Sequence, residues 1–183
     1  MTRTLFLYST VDGQTRRICE RMRQILAGAG QAAEMVELGD ETPSLDLAAF
    51  DQIVIGASIR YGKHRPAVHR FVARHRALLE SKPSAFFSVN VVARKPAKNT
   101  AETNPYVLKF LKQTGWAPTL AGVFAGRIDY PSYRFVDRQV IRFIMWMTKG
   151  PTDPRAKVEF TDWAAVERFA KQLLAPRQAS EAT

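Results

Sequence analysis

Residues 4–18, "TLFLYSTVDGQTRRI", decide how the rest of the chain is read. "TLFLYS" is an apolar run that ends in hydroxyl side chains, the character of a strand buried on both faces. Beyond it Ile18, Met22, Ile25 and Leu26 recur at i, i+4, i+7 and i+8, the stripe of a helix that covers a sheet. The turn between them, "STVDGQT", brings hydroxyls, a glycine and the positive end of a helix dipole to one spot. Ser9, Thr10 and Thr15 offer donors, and Gly13 allows close backbone approach. The same residues suit a plain helix start in which Thr10 or Asp12 caps the first turn, so this loop alone leaves a phosphate cradle and a cap both open. A Walker loop is excluded, because the Gly-Lys-Ser/Thr ending is missing.

Outward from that unit, strand and helix patterns alternate. "QAAEMVEL" is a half-buried strand, "FDQIVIGAS" a central one, residues 64–80 a helix, "SAFFSVNVV" a fourth strand, 104–114 a short helix and "APTLAGVFAG" a fifth strand. Residues 127–156 then interrupt the alternation before "KVEF" resumes strand character and "TDWAAVERFAKQLLA" closes as a helix with Thr161 or Asp162 as N-cap. This order implies right-handed crossovers, a parallel sheet with helices on both faces, and ligands beyond the carboxyl ends of the strands. "GAGQAA" at 28–33 matches a dinucleotide fingerprint but lies between a helix and a strand, the reverse of the required context, so it is read as a helix stop.

The bulk numbers set the frame. At 183 residues the chain suits one domain, predicted over 1–175, with a disordered tail at 176–183. Its single cysteine, Cys19, excludes an internal disulfide and is expected to be inert packing, and no metal-ligand spacing is visible. Neither a secretory leader nor a membrane span is legible, which predicts a protein on the cytoplasmic side. The net charge of +10 predicts an anionic partner. Nucleic acid is the weaker explanation, since no recognition signature accompanies the charge.

Two further loops converge on the first. After the third strand, "ASIRYGKHRP" supplies Ser58 to bond a ligand edge, Tyr61 as a flat π face, Gly62 for a tight turn, and positive charge from Arg60, Lys63 and Arg65. After the fourth, "SVNVVARKPAKNT" supplies Ser88 and Asn90 for polar ring edges and Arg94, Lys95 and Lys98 for a basic rim. His69 and His75 read as surface residues, while His64 beside the ring-binding loop is a candidate to touch substrate.

The motifs "LYSTVDGQT", "VIGASIRYG", "PSAFFSVNVVARKP" and "TDW", in this order, resemble the quinone-dependent protoporphyrinogen IX dehydrogenases of bacterial haem biosynthesis, as does the insert "RIDYPSYRFVDRQVIRFIMWM". The resemblance implies a flavodoxin-like α/β fold: a doubly wound five-stranded parallel sheet, order 2-1-3-4-5, with a long insert interrupting the last strand. It implies FMN, its phosphate on Ser9, Thr10, Asp12, Gly13, Gln14 and Thr15. The isoalloxazine would lie between Ser58, Ile59, Arg60, Tyr61 and Gly62 on one side and Ser88, Val89, Asn90, Val91 and Val92 on the other. The flavin would carry the chemistry, with Arg60, Lys63, Arg94 and Arg127 pairing with substrate propionates. Asp12 departs from the hydroxyl residue of general flavodoxins. Since a carboxylate facing a phosphate is repulsive, its backbone is expected to meet the phosphate while its side chain turns away to cap the helix.

The insert carries the charge. On a wheel at ~100° per residue with Arg134 at zero, Arg138, Arg142 and Lys149 fall at roughly 40°, 80° and 60°. The opposite arc holds Trp146 and other aromatic and aliphatic residues, so 133–149 is an amphipathic helix. It is either packed on the domain with a solvated cationic edge or laid on anionic lipid with its aromatic face dipped in. The expectation is a peripheral enzyme on the cytoplasmic face of the inner membrane, passing electrons from protoporphyrinogen IX to menaquinone or ubiquinone. An NAD(P)H:quinone reductase and a membrane-docked electron-transfer flavoprotein remain as alternatives, and homo-oligomerisation stays open.

Overall fold

A computed structural model of the chain describes residues 1–39 and 45–175, so the tail expected to be disordered lies outside the described residues. β1 (Arg3–Ser9) leads into α1 (Gln14–Gly28) and β2 (Ala32–Glu37), and β3 (Gln52–Arg60) turns back into the two-residue β4 (Lys63–His64). α2 (Pro66–Ser81), β5 (Ser84–Val89), α3 (Pro105–Thr114) and β6 (Leu120–Phe124) complete the alternation, and α5 (Trp163–Leu174) ends it. The central strands run β2-β1-β3-β5-β6, all parallel, which is the expected order once β4 is set aside as an antiparallel hairpin on β3.

Strand alternation explains the continuous apolar runs. Leu5 and Leu7 of β1, Ile53 and Ile55 of β3 and Phe86 of β5 face α2 and α3, where Val72, Val107 and Phe110 meet them. Phe6, Val54 and Phe87 face the other way, onto Ile18, Met22 and Leu26 of α1 and Val166, Phe169 and Leu173 of α5. An added Cβ at Gly56 would lie 2.2 Å from Phe87 Cζ, so the sheet closes there only over glycine. Asp162, rather than Thr161, caps α5 by accepting from Ala165 N (3.0 Å), while the Thr161 hydroxyl donates to Ala125 O (2.7 Å).

The insert stands on its own short ladder. β7 (Arg127–Asp129) pairs antiparallel with β8 (Lys157–Glu159), so the strand character that resumes at residue 157 extends this ladder instead of the main sheet. Between them lie a tight turn at Tyr130–Ser132 and α4 (Phe135–Met147). Ile128, Tyr130, Tyr133 and Met145 form a small buried cluster with Val91 and Ile141 beside it, and the fully buried Tyr130 donates its hydroxyl to Pro151 O (2.7 Å). That cluster seats the insert against the loop after β5, above the carboxyl ends of the central strands.

Candidate active site

The first loop leaves its polar atoms unmatched. Gly13 is the N-cap of α1 at φ 77°, in the left-handed region, with no side chain capping the helix and no acidic residue in its first turn. Ser9, Thr10 and Thr15 each bury a hydroxyl oxygen that has no partner among the described residues. A buried unmatched hydroxyl costs ~1–3 kcal/mol, so three in one turn mark a place where a ligand supplies the acceptors. Gln14 is buried and braced from behind, its Nε2 donating to Glu159 Oε1 (2.5 Å) and Thr161 Oγ1 (2.9 Å).

Beside this cradle a cleft opens, lined by apolar side chains with a few polar groups among them. One wall is Ser58–Gly62, another Val89–Val92, and Ser58 Oγ ties the first wall to β1 by donating to Ser9 O (3.4 Å). Tyr61 and Gly62 form the two-residue turn between the paired Arg60 and Lys63, and both have positive φ, 49° and 74°. The left-handed backbone is strained for a tyrosine and holds its ring 54% exposed at the cleft mouth. Arg60 crosses the cleft: Nη1 donates to Asp12 Oδ1 (3.2 Å) and Nη2 to Asp137 Oδ2 (2.6 Å), while the Tyr61 hydroxyl donates to the other Asp137 oxygen. Burial raises the Asp12 pKa and outweighs Arg60, whereas the Tyr61 hydrogen bond, followed by Arg60, holds Asp137 below the usual carboxylate range. Burial opposes the Arg60 charge, but Tyr61 and the two carboxylates leave its pKa raised overall.

A flavodoxin domain model matches residues 5–155. The chain is 47% identical over 172 residues to the protoporphyrinogen IX dehydrogenase [quinone] of Leishmania major, covering 93% of this chain and 74% of the relative. It is 45% identical over 172 residues to the Escherichia coli K12 protein of the same name, covering 93% and 94% of the two chains. The chain belongs to the quinone-dependent protoporphyrinogen IX dehydrogenase family. Among solved structures the Megasphaera elsdenii flavodoxin is similar in fold at 15% identity, with TM-score 0.51 over 66% of this chain and 84% of that one. The residues present fit the FMN of such a fold: three unmatched hydroxyls suit a phosphate, and the cleft beside them suits a flat ring.

Within this family site the expected residues divide. Thr10, Asp12, Gln14, Ser58, Ile59, Arg60, Tyr61, Gly62, Val89, Asn90, Val91, Val92 and Arg127 line the cleft, and Ser9, Gly13 and Thr15 belong to the cradle at its end. The Asp12 carboxylate does turn aside, but to Arg60 and not to the helix, which has no side-chain cap. Ser88 lies on the far side of β5, with Phe86, because alternate residues face opposite ways; its buried hydroxyl meets His64 Nε2 at 3.0 Å. Arg94 is not a free rim charge, since it donates to Val91 O (2.9 Å), Thr148 O (2.8 Å) and Thr148 Oγ1 (3.0 Å), pinning the end of α4. Lys63 points away from this cleft, into a second cavity, and His69 and His75 are half-buried instead of superficial. Cys19 is fully buried, its thiol pKa pushed up by burial, as inert packing requires.

The sequence reading missed the insert's inner wall: Ile128, Tyr133, Ile141, Ile144 and Met145 close the cleft, with Tyr106 of α3. Burial pushes the Tyr133 hydroxyl up to about 12, and Arg60 lies 6.0 Å over its ring. The wheel held the signal, because Met145, Ile141 and Ile144 share one side of α4; what it lacked was the cleft they cover.

Proposed function

We propose that this chain oxidises protoporphyrinogen IX to protoporphyrin IX in haem biosynthesis and passes the electrons through FMN to a membrane quinone. The observation that carries the reading is a cleft with a phosphate cradle at one end and an insert wall at its side, in a chain 45–47% identical to relatives that bear this activity in their names. Bound FMN supplies a two-electron acceptor for hydrogen leaving the porphyrinogen. The chain's own residues would position it: Thr10 and Thr15 on the phosphate, Ser58–Gly62 and Val89–Val92 beside the ring, and Ile128, Ile144 and Met145 keeping water from that side. Arg127, half-buried in the cleft and 3.6 Å from Asp129, offers the charge for a substrate carboxylate. No side chain need act as general base, since a released proton can pass to solvent at the open mouth.

The membrane part of the reading rests on α4. Phe135 (71%), Val136 (69%), Phe143 (57%), Trp146 (69%) and Met147 (61%) are exposed, and Arg134 and Lys149 stand exposed at either end. Among the described residues no helix is long and apolar enough to cross a membrane, so an aromatic face with basic flanks supports interfacial contact with anionic lipid. The test is anaerobic stopped flow on the FMN-loaded protein. Protoporphyrinogen should bleach the flavin and a quinone should restore it, faster with anionic vesicles. Bleaching by NADPH but not by protoporphyrinogen would sink the reading in favour of an NAD(P)H:quinone reductase.

A further inference from the structure

A second cavity lies across the β3–β4 hairpin from the flavin cleft, between that hairpin and the helices α2 and α3. The two share Ile59, Gly62 and Tyr106 as a common wall, so they abut. Its lining is basic and aromatic: Lys63 and His64 from the hairpin, His69 from the first turn of α2, Tyr106, Lys109 and Phe110 from α3. Arg70 also lines it, and among the described residues no Asp or Glu does. Neither Lys63 nor Lys109 has an ion-pair partner among the described residues.

His64 is the polar centre of this cavity. It is 6% exposed, yet two ring contacts and one hydrogen bond are its side chain's only partners among the described residues apart from the His69 ring. Asn90 Oδ1 accepts from Ala93 N (3.1 Å), which turns its Nδ2 toward Ser88 Oγ (3.1 Å). Ser88 is fully buried and needs an acceptor for its own proton, and His64 Nε2 at 3.0 Å is the one in reach. The imidazole is therefore neutral with its proton on Nδ1, and no acceptor for that proton is found among the described residues. Burial, then the neighbouring His69, hold its pKa down to about 3, and burial with Lys109 lowers that of His69. The start of α2 points the same way: Pro66 stands at its first turn, which has neither a side-chain cap nor an acidic residue, whereas α3 is capped by Asn104.

We infer that this second cavity is an anion subsite that takes a carboxylate arm of the tetrapyrrole, while the macrocycle lies across Tyr106 toward the flavin cleft. The inference rests on the substrate class proposed above. Arg60 and Arg94 are engaged with the insert, which leaves Lys63, Lys109 and the His64 Nδ1–H to meet the carboxylate. An anion there relieves the mutual repulsion of the cations and accepts the Nδ1 proton in a hydrogen bond.

The FMN-loaded protein is titrated with protoporphyrin IX and with its dimethyl ester, followed by porphyrin fluorescence. Lys109→Glu should weaken the diacid about tenfold or more, with Lys63→Glu adding to it, and should leave the ester within about twofold. Lys112→Glu, exposed on the same helix but outside the cavity, controls for general attraction and should move neither ligand by more than about twofold. Equal weakening of diacid and ester, or an equal effect of Lys112→Glu, overturns the subsite. Protoporphyrinogen oxidation is measured on the same proteins. Wild-type protein that binds the diacid with this charge dependence but does not oxidise the porphyrinogen overturns the proposed reaction and keeps the subsite.

Discussion

In the first loop, Ser9, Thr10 and Thr15 bury hydroxyls that no neighbour among the described residues meets, while Leu7, Ile18 and Met22 around them are fully packed. In the insert, Arg138 Nη2 donates to Tyr133 O (3.2 Å) and Arg142 Nε to Thr152 O (2.9 Å), while Phe135, Phe143 and Trp146 lie open. One region is short of polar partners and the other of apolar ones. Each shortage describes its missing partner: a small multivalent acceptor for the loop, a low-dielectric surface for the helix. The two regions meet at Arg60, which bonds Asp12 of the loop and Asp137 of α4.

The largest effect should come from the loop. Replacing Thr10 and Thr15 together by Val keeps their shape and removes two unmatched hydroxyls. Hydrogen bonds to a charged group are worth ~1.5–3 kcal/mol each, so FMN affinity should fall roughly 10²- to 10⁴-fold in a fluorescence titration. The thermal midpoint of the FMN-free protein should stay level or rise, because the buried orphans are gone. Unchanged affinity would reduce the loop to an ordinary helix start and erase the contrast.

The contrast also explains what was legible in the sequence. The loop could be read because its ligand chemistry is local: "STVDGQT" follows a buried strand and opens a helix, and those two elements alone aim the hydroxyls. The sheet was legible for the same reason, since β1, β3 and β5 are apolar on both faces. Ser88, Arg94 and Asp12 misled because their partners lie 24, 54 and 48 residues away, at His64, Thr148 and Arg60. The wheel sets the insert's charge either in solvent or on anionic lipid, yet Arg138 and Arg142 fold back onto carbonyls because β7 and β8 bring both ends of the insert together. Periodicity gives a face its polarity and says nothing of what covers it.

Next in size is the insert's own core. Met145 is fully buried against Tyr130 and Tyr133, and truncating such a side chain to Ala costs ~2–5 kcal/mol. Since this cluster is separate from the two on the sheet, Met145→Ala should speed amide exchange throughout α4 and β7 far more than in β1 or β3. Loss spread evenly over the chain would mean that insert and sheet open as one unit.

Asp137→Asn tests the bridge. The Tyr61 hydroxyl and Arg60 lower the Asp137 pKa, so its contribution is full above the ordinary carboxylate value near 4 and is lost as pH falls below it. Asp12 works in the opposite sense: its raised pKa means that holding the charge there is unfavourable at neutral pH, a cost that disappears on acidification. Exchange in α4 should therefore run a few-fold faster in Asp137→Asn than in wild type at pH 7, and the two should converge as acidification below the ordinary carboxylate range protonates Asp137. A mutant equal to wild type at pH 7 would leave the insert held by Arg94 and its apolar cluster alone.

The smallest change in stability should follow the boldest substitution by sequence. Phe143 and Trp146 are 57% and 69% exposed and meet chiefly each other, ring centroids 6.0 Å apart. An exposed side chain contributes little by burial, so replacing both by Ser should alter the unfolding free energy in solution by no more than about 0.5 kcal/mol. On the proposed reading, in which the aromatic face dips into the interface, the same variant should lose most of its co-sedimentation with phosphatidylglycerol vesicles. A silent stability with lost vesicle binding places the apolar shortage at the lipid. A concentration-dependent drop in thermal midpoint would instead mean that these rings are buried against a second copy of the chain, and the insert would then owe its exposed face to assembly and not to the membrane.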